Sequence, residues 1–196
     1  GTPNSNDEGG RVSTAAFLLH ATRVYPGYKE SQHSESRARI LEQLESLSSL
    51  KAMTADLAMS IDTYLAGNEG LLNAAREAIE SPPEAPEGIL NAMQVESKGV
   101  LRAWTHNLLV TRHLTELFIL RAYQLYETGK PYRALEEIAL ALKLAQHIED
   151  MPSLVNSVIA HRNIEETLRH LGILLTGTGF SSDGIDELVN ELGRTI

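Results

Sequence analysis

From about Gly99 to Thr128 the chain carries its longest helical pattern. Leu101, Trp104, Leu108, Thr111, Thr115, Phe118, Ala122 and Leu125 recur at alternating spacings of three and four. That period brings them onto one face of an α-helix. A second apolar stripe, Val100, Ala103, Val110, Leu114 and Leu117, lies beside the first. One stripe buries one side of a helix; two adjacent stripes require neighbours on two sides. This segment is therefore the predicted central helix, and the rest of the chain must supply helices or sheets to cover it.

What surrounds it reads as helix. Strand signals are nearly absent, since Val and Ile rarely alternate with polar residues. A first helix is predicted over 13–24, closed by Pro26-Gly27, and a second begins near Ser34 or Ser36 with Ile40, Leu41, Leu44 and Leu47 as its stripe. A third starts near Thr54 and uses Leu57, Ile61 and Leu65. Gly67 and Gly70 allow a kink or a cap before the pattern resumes with Leu71, Leu72, Ala75 and Ile79. Ser81-Pro82-Pro83-Glu84-Ala85-Pro86 then breaks it, because proline lacks the amide hydrogen and clashes with the preceding turn. An extra turn is allowed over 89–96.

Gly129 stops the central helix, and Pro131 suits the first position of the next, where its missing N–H has no intrahelical partner to lose. That helix runs to about Ile148 with Leu135, Ile138, Leu142 and Ala145 inward. Another, over 153–175, carries Leu154, Val158, Leu168 and Leu171 as its stripe, and a last one starts near Ser182 with Ile185, Leu188, Val189 and Leu192. The expected fold is all-α, about seven helices in antiparallel hairpins, either a tetratricopeptide-like array or an irregular bundle. Residues 1–10 read as a flexible lead-in and 11–196 as one domain, with a sub-boundary at 81–88.

Composition narrows the partners. Twenty-six acidic against seventeen basic residues give a net charge of −9, which repels phosphate backbones and anionic membranes. No nucleic-acid partner is expected. The chain has no cysteine, so disulfides, thiolate metal sites and cysteine nucleophiles are excluded. No run reaches the ~18 apolar residues of a transmembrane helix. The chain opens Gly1-Thr2-Pro3-Asn4 without an initiator Met. Removal of an upstream signal peptide or membrane anchor is one expectation, and a boundary trim the other.

The stretch from Gly129 to Leu144, GKPYRALEEIALALKL, resembles the second helix of a tetratricopeptide-type hairpin, with small Ala134 and Ala141 seven residues apart. A repeat should recur about 34 residues away. The offset positions are Val100 and Asn107 upstream, and Leu168 and Leu175 downstream, so one helical hairpin is implied and not an array. A broader resemblance spans about 54–171. It rests on Tyr64-Leu65-Ala66-Gly67-Asn68-Glu69, Ala75-Arg76-Glu77-Ala78, Gly129, Ala134-Leu135-Glu136, Leu142-Lys143-Leu144-Ala145-Gln146-His147-Ile148 and Pro152-Ser153-Leu154-Val155. These residues look like those of a family of uncharacterised helical proteins typical of planctomycete-type bacteria. The resemblance implies a tetratricopeptide-like α-fold and export with an N-terminal anchor; it implies no chemistry.

Chemical candidates are few. His106 and His113 share a face of the central helix, with Glu116 one turn on, but the repeated Glu-x-x-His pairs of a di-iron bundle are missing. His161 and Glu165, at i,i+4 on the stripe of Leu154, Val158 and Leu168, stand where apolar residues are expected, and Arg162 adjoins them. They are candidates for a ligand-facing patch or a simple helix pair. No G-x-S-x-G elbow or phosphate loop occurs. Glu136-Glu137 and Glu165-Glu166 diverge by about 100° on a helix and read as solvated faces. Tyr123, Tyr126 and Tyr132, with Arg121 and Arg133 nearby, gather around the Gly129 turn, either as a contact surface or as a seal on the hairpin end. The expectation is a non-enzymatic scaffold or protein-interaction module without a cofactor; the alternative is a small-ligand or metal-binding bundle using His106, His113, His161 and Glu165.

Overall fold

A computed structural model describes residues 35–80, 100–149, 154–177 and 180. The helices expected over 13–24 and from 182 onward, the turn over 89–96 and the proline cluster lie outside those residues. Within them the chain forms five α-helices and no strand. These are α1 (Glu35–Glu45), α2 (Ala55–Glu80), α3 (Val100–Glu127), α4 (Pro131–Glu149) and α5 (Leu154–Leu175), with one 3-10 turn at Leu50–Ala52 between α1 and α2.

Local chemistry explains the boundaries. Thr54 caps α2: its Oγ1 accepts the N–H of Leu57 at 3.2 Å, satisfying one of the free donors of the first turn. The helix then runs unbroken through Gly67 and Gly70, both exposed. Gly129 closes α3 with φ +75°. The Gly129 N–H donates to the Tyr126 carbonyl and the Lys130 N–H to the Leu125 carbonyl, each at 2.9 Å. This pair of bonds is a Schellman cap, and its left-handed residue favours glycine because a Cβ would crowd the following carbonyl. Pro131 opens α4 immediately afterwards.

α3 is central: it packs against α2, α4 and α5. Every residue from His113 to Leu120 is buried, covering the whole circumference of two turns. Thr111, Thr115, Phe118, Ala122 and Leu125 of the first predicted stripe are all buried, as are Leu114 and Leu117 of the second. Ala134 and Ala141 are fully buried on α4, which lets that helix lie close to its neighbour. One core joins residues from Ile40 on α1 to Leu174 on α5, so segments on both sides of 81–99 share it.

α5 departs from expectation. Two residues of its predicted stripe point outward, Val158 at 61% and Leu168 at 49% exposure, whereas Leu171 packs against the core and the Leu154 side chain lies outside the described ones. The buried face is instead Ala160, Asn163, Thr167, His170, Ile173 and Leu174. Of these polar residues, Thr167 and His170 find partners on the helix itself or across it, whereas the Asn163 Nδ2 has no hydrogen-bond partner among the described residues. The Thr167 hydroxyl donates to the Asn163 carbonyl at 2.6 Å, as the Thr115 hydroxyl on α3 donates to the Thr111 carbonyl at 3.0 Å. A threonine bonded back to its own turn presents mainly its methyl group to the core.

Candidate functional site: a cationic cleft between three helices

The sequence candidates separate in space. Tyr123 is a core residue with no exposure, so it is not part of any contact surface. Its ring meets His170 edge-on, with centroids 5.6 Å apart, and its Oη lies 2.8 Å from His170 Nδ1. On the other side of the imidazole, Arg169 Nη2 lies 2.9 Å from Nε2. Guanidinium only donates, so Nε2 is the acceptor, the ring proton sits on Nδ1, and Nδ1–H donates to the Tyr123 oxygen. Burial first, and the Arg169 charge second, lower the His170 pKa to about 3. Burial likewise pushes the Tyr123 phenol up. The pair is neutral and locks α3 to α5.

Tyr126 and Tyr132 close the end of the α3–α4 hairpin. Both rings contact Phe180, at 5.7 and 6.1 Å. Tyr126 also covers Gly177, whose backbone approaches so closely that a Cβ there would overlap the phenol. Thr176 Oγ1 accepts the N–H of Leu50 at 3.3 Å, tying the 3-10 turn to the same end. Tyr132 remains half exposed.

Among the described side chains, His113, His161 and Glu165 do not come together. His113 is fully buried and packs edge-on against Tyr64, centroids 6.3 Å apart. Glu116 is engaged by Arg37 at 2.5 Å and Arg112 at 3.2 Å. Burial raises its pKa, and the Arg37 and Arg112 charges oppose that rise. The His106 side chain lies outside the described ones, while His161 and Glu165 sit exposed on α5. Among the described residues no group of three or more His, Asp or Glu is placed to hold a metal ion. No helix among them is long and apolar enough to cross a membrane.

Arg121 and Arg133 do come together. They line a cleft of about 400 Å³ with Arg76, Lys143, Glu136, Glu137, Leu125, Ala139 and Leu140. Three helices build it. α2 supplies Arg76, α3 supplies Arg121 and Leu125, and α4 supplies the rest. Residues 121 and 125 of α3 share the cleft with 137 and 133 of α4, the reversed order of antiparallel neighbours.

Glu137 is 7% exposed, contrary to its reading as a solvated carboxylate. Its Oε1 accepts from Arg76 Nη2 at 2.5 Å, and its Oε2 has no hydrogen-bond partner among the described residues. Burial raises its pKa, and Arg76 and then Arg121 draw it back down. Arg76 Nη1 also donates to Asn73 Oδ1 at 3.0 Å. Arg121 donates to Gln124 Oε1 and lies 3.4 Å from Glu69. Arg133 meets Glu136 only at 4.0 Å, both side chains being largely exposed. Lys143 makes no ion pair among the described residues. The cleft thus holds four cations and two carboxylates in a chain whose net charge is −9.

Sequence reasoning found Arg121 and Arg133 but missed Arg76 and Lys143. The signal for Lys143 was present: Arg133, Glu137, Leu140 and Lys143 step by four, three and three along one side of α4. Arg76 stands 45 positions before Arg121, and nothing local links them. No family model, curated protein or solved structure matches the chain.

Proposed function

We propose that the chain is a non-enzymatic helical interaction module whose α2–α3–α4 cleft receives an acidic segment of a partner protein. The observation that carries this reading is the convergence of Arg76, Arg121, Arg133 and Lys143 on one cleft of an acidic chain. A guanidinium presents a planar fork that matches a carboxylate with two parallel hydrogen bonds. Leu125, Ala139 and Leu140 give the floor an apolar part that packs against the aliphatic stem of a bound side chain. A volume near 400 Å³ suits a few residues rather than a whole domain face.

The charge outside the cleft selects against long polyanions. The overall charge of −9 repels an extended phosphate backbone, whereas a short acidic segment exposes only a few charges to that field. The close α3–α4 hairpin, with Ala134 and Ala141 buried, supports the tetratricopeptide-like part of the proposal. Export with an N-terminal tether belongs to the same proposal and rests on the family resemblance alone.

The test is binding of a fluorescent Glu-rich peptide, measured by anisotropy against its Gln-substituted twin. The Glu peptide should bind and the Gln peptide should not. Arg121→Glu and Arg133→Glu should each weaken binding roughly tenfold or more, by setting like charge against the peptide. Tyr126→Ala should leave binding unchanged. Equal binding of the two peptides, or indifference to both Arg reversals, would refute the reading.

A further inference from the structure

The outward face of α5 has a pattern that a solvated face does not need. Val158, His161, Glu165, Leu168 and Gly172 are all exposed and follow one another at spacings of three, four, three and four. That is the spacing of the seam in a two-stranded helical pair. The two largest apolar side chains on it, Val158 and Leu168, are 61% and 49% exposed. Meanwhile the buried face of the same helix carries Asn163, Thr167 and His170. Two large apolar side chains thus meet solvent between polar ones, while part of the core-facing side is polar.

The seam is also self-complementary. Its positions mirror one another about residue 163: Val158 answers Leu168, and His161 answers Glu165. When two identical helices pair antiparallel about a two-fold axis, mirrored positions meet at the same height. With the axis at Asn163, Val158 of each copy meets Leu168 of the other, and His161 of each copy meets Glu165 of the other. Each contact occurs twice. Arg162, exposed beside the seam, lies close to the axis and adds a cation next to each Glu165. A parallel pairing would set His161 against His161 and Glu165 against Glu165, like against like, which costs affinity.

From this juxtaposition we infer that the outward face of α5 is the contact of a symmetric homodimer, two α5 helices antiparallel about an axis at Asn163. The occupant of the face is a second copy of this chain. The inference is independent of the cleft, which is built from α2, α3 and α4. Two copies joined through α5 would carry two clefts, so a partner with two acidic segments gains avidity without any new contact.

Sedimentation velocity on the full chain over a concentration series tests it. The expected result is a reversible dimer with apparent mass near twice 21.5 kDa. Val158→Asp and His161→Glu, both exposed positions, should leave the helical CD signal intact and return the mass to that of one chain. The swap His161→Glu with Glu165→His restores opposite partners in the antiparallel register and should recover the dimer that His161→Glu loses. A second measurement fixes the axis. The chain has no cysteine of its own. Arg162→Cys places two thiols about 3 Å apart along the helix axes, and Ser157→Cys places them about 18 Å apart. A short bis-maleimide should link the first pair and not the second. A chain that is monomeric at every concentration overturns the inference. So does a dimer insensitive to His161→Glu, a swap no better than the single variant, or crosslinking that favours Ser157→Cys.

Discussion

Replacing His170 with glutamine tests how the α3–α5 contact is held, and the structure sets both the size and the pH dependence of the effect. His170 is 2% exposed, bonded to Tyr123 at Nδ1 and approached by Arg169 at Nε2. Its pKa in the folded chain is about 3, below the ordinary 6.5. Above about pH 6.5 the ring is neutral in both the folded and the unfolded chain and contributes no pH dependence. Below that, the unfolded chain binds a proton that the folded chain refuses until about pH 3. Stability therefore falls as pH falls through this window, by about 1.4 kcal/mol per unit. Between about pH 6.5 and 5 the loss is about 2 kcal/mol. Glu116 and Glu137 act with the opposite sign, because burial raises their folded pKa values and the folded chain takes their protons first. Those contributions are common to both proteins and cancel in the difference. The glutamine side chain that replaces the imidazole has no titrating group. Near neutral pH the His170→Gln variant should be less stable by about 1–2 kcal/mol, having lost the geometry of a buried hydrogen-bonded ring. At about pH 5 that gap should close by about 2 kcal/mol. Urea unfolding followed by far-UV CD at about pH 7.5 and 5 measures both. A gap that stays constant between the two would show that His170 is not held neutral, and that the Arg169–His170–Tyr123 arrangement is wrong.

Packing and charge set the remaining outcomes. Arg37→Met removes the closer partner of buried Glu116 while Arg112 remains, and should cost roughly 2–3 kcal/mol; Arg39→Met, which breaks only an exposed i,i+4 pair, should cost about 0.5 kcal/mol or less by the same urea unfolding. Gly177→Ala drives a Cβ into the Tyr126 hydroxyl and should lower stability by about 1–3 kcal/mol, with Tyr126→Ala relieving the clash. A Cβ added at Gly129 meets no atom within 4 Å, so the cost of Gly129→Ala, about 1 kcal/mol or more, comes from φ +75° alone and is not relieved by any neighbour's truncation; thermal melts of the single and double variants separate the two cases.

Much of the fold was legible along the chain because it is set locally. The boundary between α3 and α4 follows from a glycine that accepts a left-handed turn and a proline that tolerates the first helical position, both within four residues. The centrality of α3 was legible because a helix covered on several sides must carry apolar residues around its whole girth. On α5 the reading failed at Val158 and Leu168, which face outward, for an equally physical reason. Periodicity assumes that polar residues face water, but Thr167 satisfies its hydroxyl on its own helix and His170 satisfies its ring against Tyr123 and Arg169. Once its hydrogen bonds are met, a polar side chain carries little penalty for burial, and hydropathy loses its power to orient the helix.

The tyrosine cluster divides along the same line. Sequence proximity to Gly129 suggested a common surface, yet only Tyr126 and Tyr132 reach the hairpin end, because three residues turn a helix by about 300° and lift it by about 4.5 Å. Tyr123 is thereby carried into the core beside α5. What the sequence alone determined is the all-α class, the order of the described helices and the α3–α4 turn, all products of period, glycine and proline acting over a few residues. What only the tertiary structure decided is which face of each helix is covered and which distant charges meet. Arg76, Arg121, Arg133 and Lys143 become one site because three helices pack side by side, and packing is a property of surfaces that the linear order of residues does not encode.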